Sequence, residues 1–185
     1  MYGMKRDTLC LLPHDPAWKD DFLAEKHRIE AILRNSSVRI EHVGSTSIPT
    51  VHAKPILDLA ILCGKHGVEP VAEALRALGY TYRGLSAERS GHYYAVREQN
   101  NIRFCQAHIY IEPIRDWHSY LIFRDVLSEH LDLAQEYDEY KLGLAKVVTD
   151  KSEYASIKTQ WIGTFIPKVY ARHVGISTPP SATHQ

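Results

Sequence analysis

The chain has 185 residues, of which 44% are hydrophobic and 24% charged, a composition typical of one folded domain. Its 22 lysine and arginine residues balance its 22 aspartate and glutamate residues, so we expect neither a nonspecific nucleic-acid binder nor a protein that docks on anionic membranes. No stretch reaches the roughly 20 apolar residues of a transmembrane helix, the start has no signal-peptide pattern, and the 3 cysteines form no CxxC pair, which together predict a cytoplasmic protein.

The predicted elements of the first two-thirds of the chain alternate between helix and strand. A helix follows Asp15, which can cap it, with Pro16 at its first position. The turn Gly44-Ser45-Thr46-Ser47 separates a β-branched strand from an apolar strand that contains a single carboxylate, Asp58. A helix that ends at Gly79 comes next. The predicted strands are 38–43, 56–63, 80–83, 92–97 and 102–112, the last three as an antiparallel meander.

The last third is predicted to be helical. Apolar residues recur at spacings of three and four from about residue 114, and Asp150 with Glu153 resembles the capping box that begins a final helix. We therefore expect an α+β fold in one domain, residues 1–175, whose C-terminal part is helical. Residues 176–185 are polar, contain two prolines and predict a flexible tail.

The turn at Gly44 is the most informative segment. A strand that runs into glycine and small hydroxyl residues brings backbone N–H groups and side-chain hydroxyls together, which favours a phosphate site at Gly44, Ser45, Thr46 and Ser47. Gly44 also leaves room for a ligand. Asp58 follows Ser45 closely enough for the two strands to lie side by side. A carboxylate beside bound phosphate indicates a divalent cation between them, Mg²⁺ or Mn²⁺. The alternative is an ordinary turn next to a buried, hydrogen-bonded structural acid.

This segment resembles the GrpB family, in the superfamily of polymerase-beta-like nucleotidyltransferases, whose domain is also fused to dephospho-CoA kinases. The resemblance runs from Leu12 to about Phe165. Its matching pieces are Pro13-His-Asp-Pro-Ala-Trp18, Glu41-His-Val-Gly-Ser-Thr-Ser-Ile-Pro49, Ala53-Lys-Pro-Ile-Leu-Asp58, Leu78-Gly-Tyr80, Phe123-Arg-Asp125 and Glu136-Tyr137 with Lys141. It implies a nucleotidyltransferase-like mixed sheet flanked by helices. It also implies a phosphorylated small ligand or nucleotide as the partner.

The chain departs from the superfamily pattern at the expected metal site. Transferases of this superfamily carry a second acid two residues after the first, where this chain has Ala60, and a third acid on a neighbouring strand. Here that strand has His108, with Gln106, Tyr110 and Glu112 on the same face because residues two apart in a strand share a face. The resemblance thus implies Asp58 and His108 as catalytic residues and Asp58, His108 and Glu112 as metal ligands. The alternatives are a core histidine that stabilises the sheet and a solvated acid at the strand end.

Two basic residues complete the candidate site. Lys54 precedes Asp58 at the start of its strand and can reach a phosphate, although a surface lysine explains it equally well. Arg89 lies where relatives carry an arginine, and it can clamp a phosphate. Three functions remain open: metal-dependent nucleotidyl transfer, nucleotide or CoA-like ligand binding without catalysis, and hydrolysis at a histidine–acid metal site.

Overall fold

The computed structural model describes residues 2–6, 8–33, 38–63, 67–85, 92–111 and 115–174. The strands in these ranges are β1 (Met4–Lys5), β2 (Arg39–Val43), β3 (Leu57–Leu62), β4 (Tyr80–Leu85), β5 (His92–Gln99) and β6 (Ile102–Tyr110). The helices are α1 (Ala17–Ile32), α2 (Glu69–Ala77), α3 (Arg115–Glu129), α4 (Leu131–Val147) and α5 (Lys151–His173), and a 3₁₀ turn spans Ser45–Ser47. In these ranges no helix is both long and apolar enough to cross a bilayer. The predicted tail, 176–185, lies outside them.

The strands form one mixed sheet in the order β2-β3-β6-β5-β4, with the short β1 paired to the start of β6. Strands β3 and β6 run parallel, and the other pairs are antiparallel. The predicted meander is therefore present as β4-β5-β6. Because the meander returns beside β3, two segments about 50 residues apart become neighbours in the centre of the sheet. The predicted mixed sheet flanked by helices is confirmed.

The two faces of the sheet have different chemistry, because side chains alternate along each strand. Leu57, Leu59 and Ile61 of β3 are fully buried in the larger core, which they share with residues of α1 and α2 such as Trp18 and Leu75. The residues between them point to the other face, where Ala60 packs with Trp117 of α3. That face also carries Asp58, so the strand's single carboxylate lies on the side of the C-terminal helices.

Two helix starts follow the sequence pattern. The Asp15 carboxylate accepts a 3.0 Å hydrogen bond from the backbone N–H of Ala17. Asp150 accepts two, from the N–H groups of Ser152 and Glu153 at 2.9 and 2.7 Å. Each of these bonds satisfies an N–H group that the first helical turn leaves without an intrahelical partner. The Asp150 cap fixes where α5 begins, and α5 forms one wall of the cleft described next.

Candidate functional site

A cleft of about 1370 Å³ separates the polar face of the sheet from the C-terminal helices. Its floor includes Asp58, Gln106 and His108 on β3 and β6, and its walls include side chains of α3, α4 and α5. The turn at Gly44 and Ser45 lies at its edge. The cleft therefore brings together most of the residues that the sequence singled out.

Gly44 is required by its backbone conformation and by its contact with Asp58. Its φ of +73° is one that residues with a side chain rarely adopt. A Cβ atom at this position would lie only 2.3 Å from Asp58 Oδ2, because Val43 pairs with Asp58 across β2 and β3. From the sequence alone, this space is predicted to hold a ligand. In the structure the Asp58 carboxylate fills this space. The missing side chain of Gly44 therefore lets the turn pack directly against the acid.

The hydroxyls of the turn have different partners. Ser47 donates a 2.6 Å hydrogen bond to the Gly44 carbonyl, and the Thr46 hydroxyl lies 3.0 Å from His42 Nε2. Both side chains thus hold the turn itself. The Ser45 hydroxyl instead faces the cleft, 2.9 Å from the Tyr137 hydroxyl of α4. Of the three hydroxyls proposed for phosphate binding, Ser45 has the most direct access to the cleft.

His42 supports the turn from behind. Its ring stacks on Phe22 of α1 with the ring centroids 4.6 Å apart. Burial lowers its pKa to about 4, so the ring is neutral near pH 7. The Arg124 side chain of α3 donates a 2.9 Å hydrogen bond to the His42 carbonyl. His42 therefore links α1, β2 and the turn.

The parallel pairing of β3 with β6 places two polar side chains beside Asp58. Gln106 lies directly across from Asp58, and its Nε2 donates a 3.0 Å hydrogen bond to Asp58 Oδ1. His108 Nε2 lies 3.7 Å from the same oxygen. The Tyr94 hydroxyl donates a short hydrogen bond to Gln106 Oε1, the side-chain amide oxygen, which fixes the orientation of that amide. One carboxylate oxygen is thus held by β6, while the other faces Gly44.

The sequence paired Asp58 with His108, and the structure places them together. Gln106 was recognised as sharing their face, but its bond to Asp58 was not foreseen. Glu112 lies outside the described residues, as does Arg89.

Two lysines from distant parts of the chain enter the same cleft. Lys54 Nζ lies 4.7 Å from the centre of the Tyr154 ring. Burial, and then the positive charges of Lys158 and Lys151, lower the pKa of Lys54 to about 8. Tyr137, and to a smaller extent Asp58, raise the pKa of Lys158, so this lysine carries its charge in the cleft. Within the described ranges neither Lys54 nor Lys158 forms an ion pair. Sequence reasoning missed Lys158, although its position four residues after Tyr154 places both on one face of α5.

Arginines at another part of the cleft share one acid. Glu98 of β5 lies 3.1 Å from Arg103, 3.5 Å from Arg83 and 3.9 Å from Arg6. One carboxylate cannot neutralise three guanidinium groups, so this part of the cleft also keeps a positive excess. The lining contains three aspartates, Asp58, Asp116 and Asp150. It contains seven basic side chains, Arg6, Lys54, Arg83, Arg103, Lys141, Lys151 and Lys158.

A buried polar cluster fixes the loop between the turn and β3. The backbone N–H of His52 donates a 2.7 Å hydrogen bond to Asp138 Oδ1. The Nδ1 atom of the same histidine lies 2.7 Å from Asp138 Oδ2. Lys141 Nζ donates to the His52 carbonyl and lies 3.6 Å from Asp138. Burial lowers the pKa of Lys141 to about 7. Helix α4 therefore holds both ends of the Ser45–Lys54 segment, at Tyr137 and at this cluster.

The acidic and histidine side chains near Asp58 are too few for a two-metal site. Within the described ranges no three histidine, cysteine or acidic side chains are grouped to hold a metal ion. Ala60 offers no ligand, and Glu41 is already paired with Arg124 at 3.1 Å. Two-metal catalysis needs several bridging carboxylates, which these residues do not supply. Asp58 and His108 could hold one ion if phosphate oxygens and water supplied its other ligands.

Comparison with known proteins places the chain in a family. It is 31% identical over 167 residues to a UPF0157 protein of Pseudomonas aeruginosa, covering 89% of this chain and 69% of that protein. It is 32% identical to the UPF0157 protein YqkA of Bacillus subtilis, covering 86% of this chain but only 46% of that longer protein. The crystal structure of the conserved protein GrpB from Enterococcus faecalis matches with a TM-score of 0.78 and 27% identity, covering 89% of this chain and 99% of that one. The family model described as GrpB protein matches residues 8–168, and this chain belongs to the GrpB family.

Proposed function

We propose that this protein binds a nucleotide or a related phosphate compound in the cleft, with the phosphates between the Gly44–Ser45 turn and the lysines. The observation that carries the proposal is the charge of the cleft. The whole chain has a formal net charge of zero, yet the cleft lining has seven basic and three acidic side chains. Four of the seven basic side chains pair with Glu98 or Asp138, which lie outside the lining, but Lys54 and Lys158 form no ion pair within the described ranges. A concave surface with excess positive charge favours an anionic ligand.

The arrangement around Asp58 supports phosphate rather than a simple carboxylate ligand. An anion placed beside Asp58 alone would be repelled by it. Lys158 offsets that repulsion, and so would a Mg²⁺ or Mn²⁺ ion between Asp58 and the ligand. Phosphate oxygens are well suited to share such an ion, because they carry the charge and lone pairs that a hard cation requires. A cation bound in this way would depend on the ligand for much of its coordination shell.

A second candidate is nucleotidyl transfer, which the pairing of Asp58 with His108 favours. His108 Nε2 lies 3.7 Å from Asp58 Oδ1, within the cleft, so it could accept a proton from an acceptor hydroxyl. Strand β3 carries only one carboxylate within the described residues, which favours ligand binding without catalysis over nucleotidyl transfer. The difference is measurable, because transfer releases pyrophosphate and binding alone does not.

The experiment is a thermal-shift panel. It uses ATP, GTP, CTP, UTP, CoA and dephospho-CoA, each with Mg²⁺, Mn²⁺ or EDTA. A ligand at 100 times its Kd stabilises the fold by about 2.7 kcal/mol, which is a shift of about 5–11 °C at this chain length. We expect the shift to shrink in Lys158→Ala. It should be unchanged in Lys168→Ala, which removes a lysine of the same helix that pairs with Glu136 instead.

Asp58→Asn separates the role of the cation from that of the lysines. It should remove the part of the shift that depends on Mg²⁺ or Mn²⁺ and leave the part that persists in EDTA. Absence of a shift with all six compounds in the wild-type protein would contradict the proposed function. Pyrophosphate release that persists undiminished in Asp58→Asn would exclude this site as its source.

A further inference from the structure

One tyrosine of the cleft has a buried hydroxyl that the fold does not use. Tyr154 of α5 lines the cleft and is only 1% exposed. Within the described residues its hydroxyl forms no hydrogen bond. Buried hydroxyls are normally hydrogen-bonded, because burial without a partner destabilises the folded chain. Beside a cleft, such a hydroxyl is available to bind a molecule that enters.

The position of this hydroxyl follows from its neighbours on α4. Burial, and then the side chains of Tyr137 and Asp138, raise the pKa of Tyr154, so its hydroxyl lies on the side of α4. Tyr137 is also the largest cause of the raised pKa of Lys158. Tyr154 and Lys158 therefore converge near Tyr137, whose hydroxyl lies 2.9 Å from that of Ser45. The unused hydroxyl is thus close to the turn.

Lys54 adds a second ammonium group at the same place, since its Nζ lies 4.7 Å from the centre of the Tyr154 ring. Burial, and then the positive charges of Lys158 and Lys151, lower the pKa of Lys54 to about 8. Asp58 is the carboxylate that acts against them. The three lysines and Asp58 together leave two positive charges, which favours an anion with two negative charges.

We propose that Tyr154, Lys54 and Lys158 form a pocket for a terminal phosphate, the phosphomonoester end of the ligand, to which the Tyr154 hydroxyl donates a hydrogen bond. This inference rests on the proposed function, since the ligand is the phosphate compound of the cleft. A phosphomonoester carries roughly two negative charges at pH 7 and has three free oxygens, which suit two ammonium groups and one hydroxyl. An internal phosphodiester has a single charge and one free oxygen fewer, so it matches this pocket less well.

The test compares the affinity for ATP with that for its γ-methyl ester, by calorimetry in EDTA so that no cation contributes. The methyl group turns the terminal phosphate into a diester and adds little bulk. The wild-type protein should bind ATP roughly 10-fold more tightly than the ester, as expected for the loss of one hydrogen bond to a charged group. CoA and dephospho-CoA, which differ by one phosphomonoester, should show the same preference.

Tyr154→Phe keeps the ring beside Lys54 and removes only the hydroxyl. It should weaken ATP binding roughly 10-fold and affect the ester much less, so the preference for ATP shrinks. Tyr170→Phe is the matched control. Tyr170 lines the same cleft from the same helix, but its hydroxyl lies 2.8 Å from that of Ser119. This variant should keep the wild-type preference.

The stability of the unliganded protein gives a second readout. Tyr154→Phe should leave the Tm unchanged or raise it, because it removes a buried hydroxyl that has no partner. Tyr170→Phe should lower the Tm, because it breaks the hydrogen bond to Ser119. A purely structural role of the Tyr154 hydroxyl predicts instead that Tyr154→Phe destabilises the unliganded protein.

The outcomes separate the pocket from the proposed function. Equal wild-type affinity for ATP and its ester, or an equal loss for both in Tyr154→Phe, would overturn the terminal-phosphate pocket while ligand binding in the cleft stands. A lower Tm of unliganded Tyr154→Phe would overturn it as well. If no nucleotide or CoA compound binds, the proposed function is wrong, and inorganic pyrophosphate decides about the pocket. A thermal shift with pyrophosphate that Tyr154→Phe removes would retain the pocket, and the absence of that shift in the wild-type protein would overturn it.

Discussion

Replacement of Gly44 by alanine tests how tightly the turn packs against the Asp58 side chain. A Cβ at this position would lie 2.3 Å from Asp58 Oδ2 and 2.9 Å from both Cβ and Cγ of Asp58. Asp58 must move, and its strand is central in the sheet. The positive φ adds about 1–2 kcal/mol of backbone strain, and overpacking adds about 1–3 kcal/mol. We therefore expect Gly44→Ala to lower the free energy of unfolding by about 2–5 kcal/mol, measured by urea denaturation.

Gly79 provides the matched control. Its φ is +85°, but a Cβ there would meet no atom within 4 Å. Gly79→Ala should therefore show the strain alone, about 1–2 kcal/mol. The difference between the two variants measures the contact with Asp58. A double variant, Gly44→Ala with Asp58→Ala, should recover part of the loss because it removes the carboxylate. Equal destabilisation by Gly44→Ala and Gly79→Ala would refute the reasoning.

Three further predictions concern stability. Burial lowers the pKa of Lys141 to about 7, so from about pH 7 to about pH 10 the unfolded chain binds a proton that the native lysine does not. The free energy of unfolding should rise with pH across that window, and Lys141→Met should flatten the rise in urea denaturation. Burial lowers the pKa of His42 to about 4, so stability should be lost as the pH falls from about 6.5 to about 4, by up to about 1.4 kcal/mol per pH unit. A slope unchanged in His42→Gln would show that another group causes it. The hydrogen bond between Ser45 and Tyr137 should give about 1 kcal/mol of coupling in a double-mutant cycle of Ser45→Ala and Tyr137→Phe, and additive effects would contradict it.

The sequence by itself determined the elements and the position of the acid. Helix starts at Asp15 and Asp150, the β4-β5-β6 meander and the alternation of β3 could all be predicted, because each depends on residues close together in the chain. The same alternation predicted that Gln106 and His108 share a face. The motif around Gly44 and Asp58, together with the other matching pieces between Leu12 and Phe165, was enough to indicate the family.

Only the tertiary structure decided which side chains meet across the cleft. Ser45 and Tyr137 are 92 positions apart in the chain, and Lys158 enters from a helix whose apolar pattern predicts packing rather than charge. The sequence predicts a ligand in the space beside Gly44, whereas the register of β2 against β3 places Asp58 there. Local patterns fix which way a side chain points within its own element. Its partner depends on how separate elements pack, and packing is set by the burial of apolar faces over the whole chain.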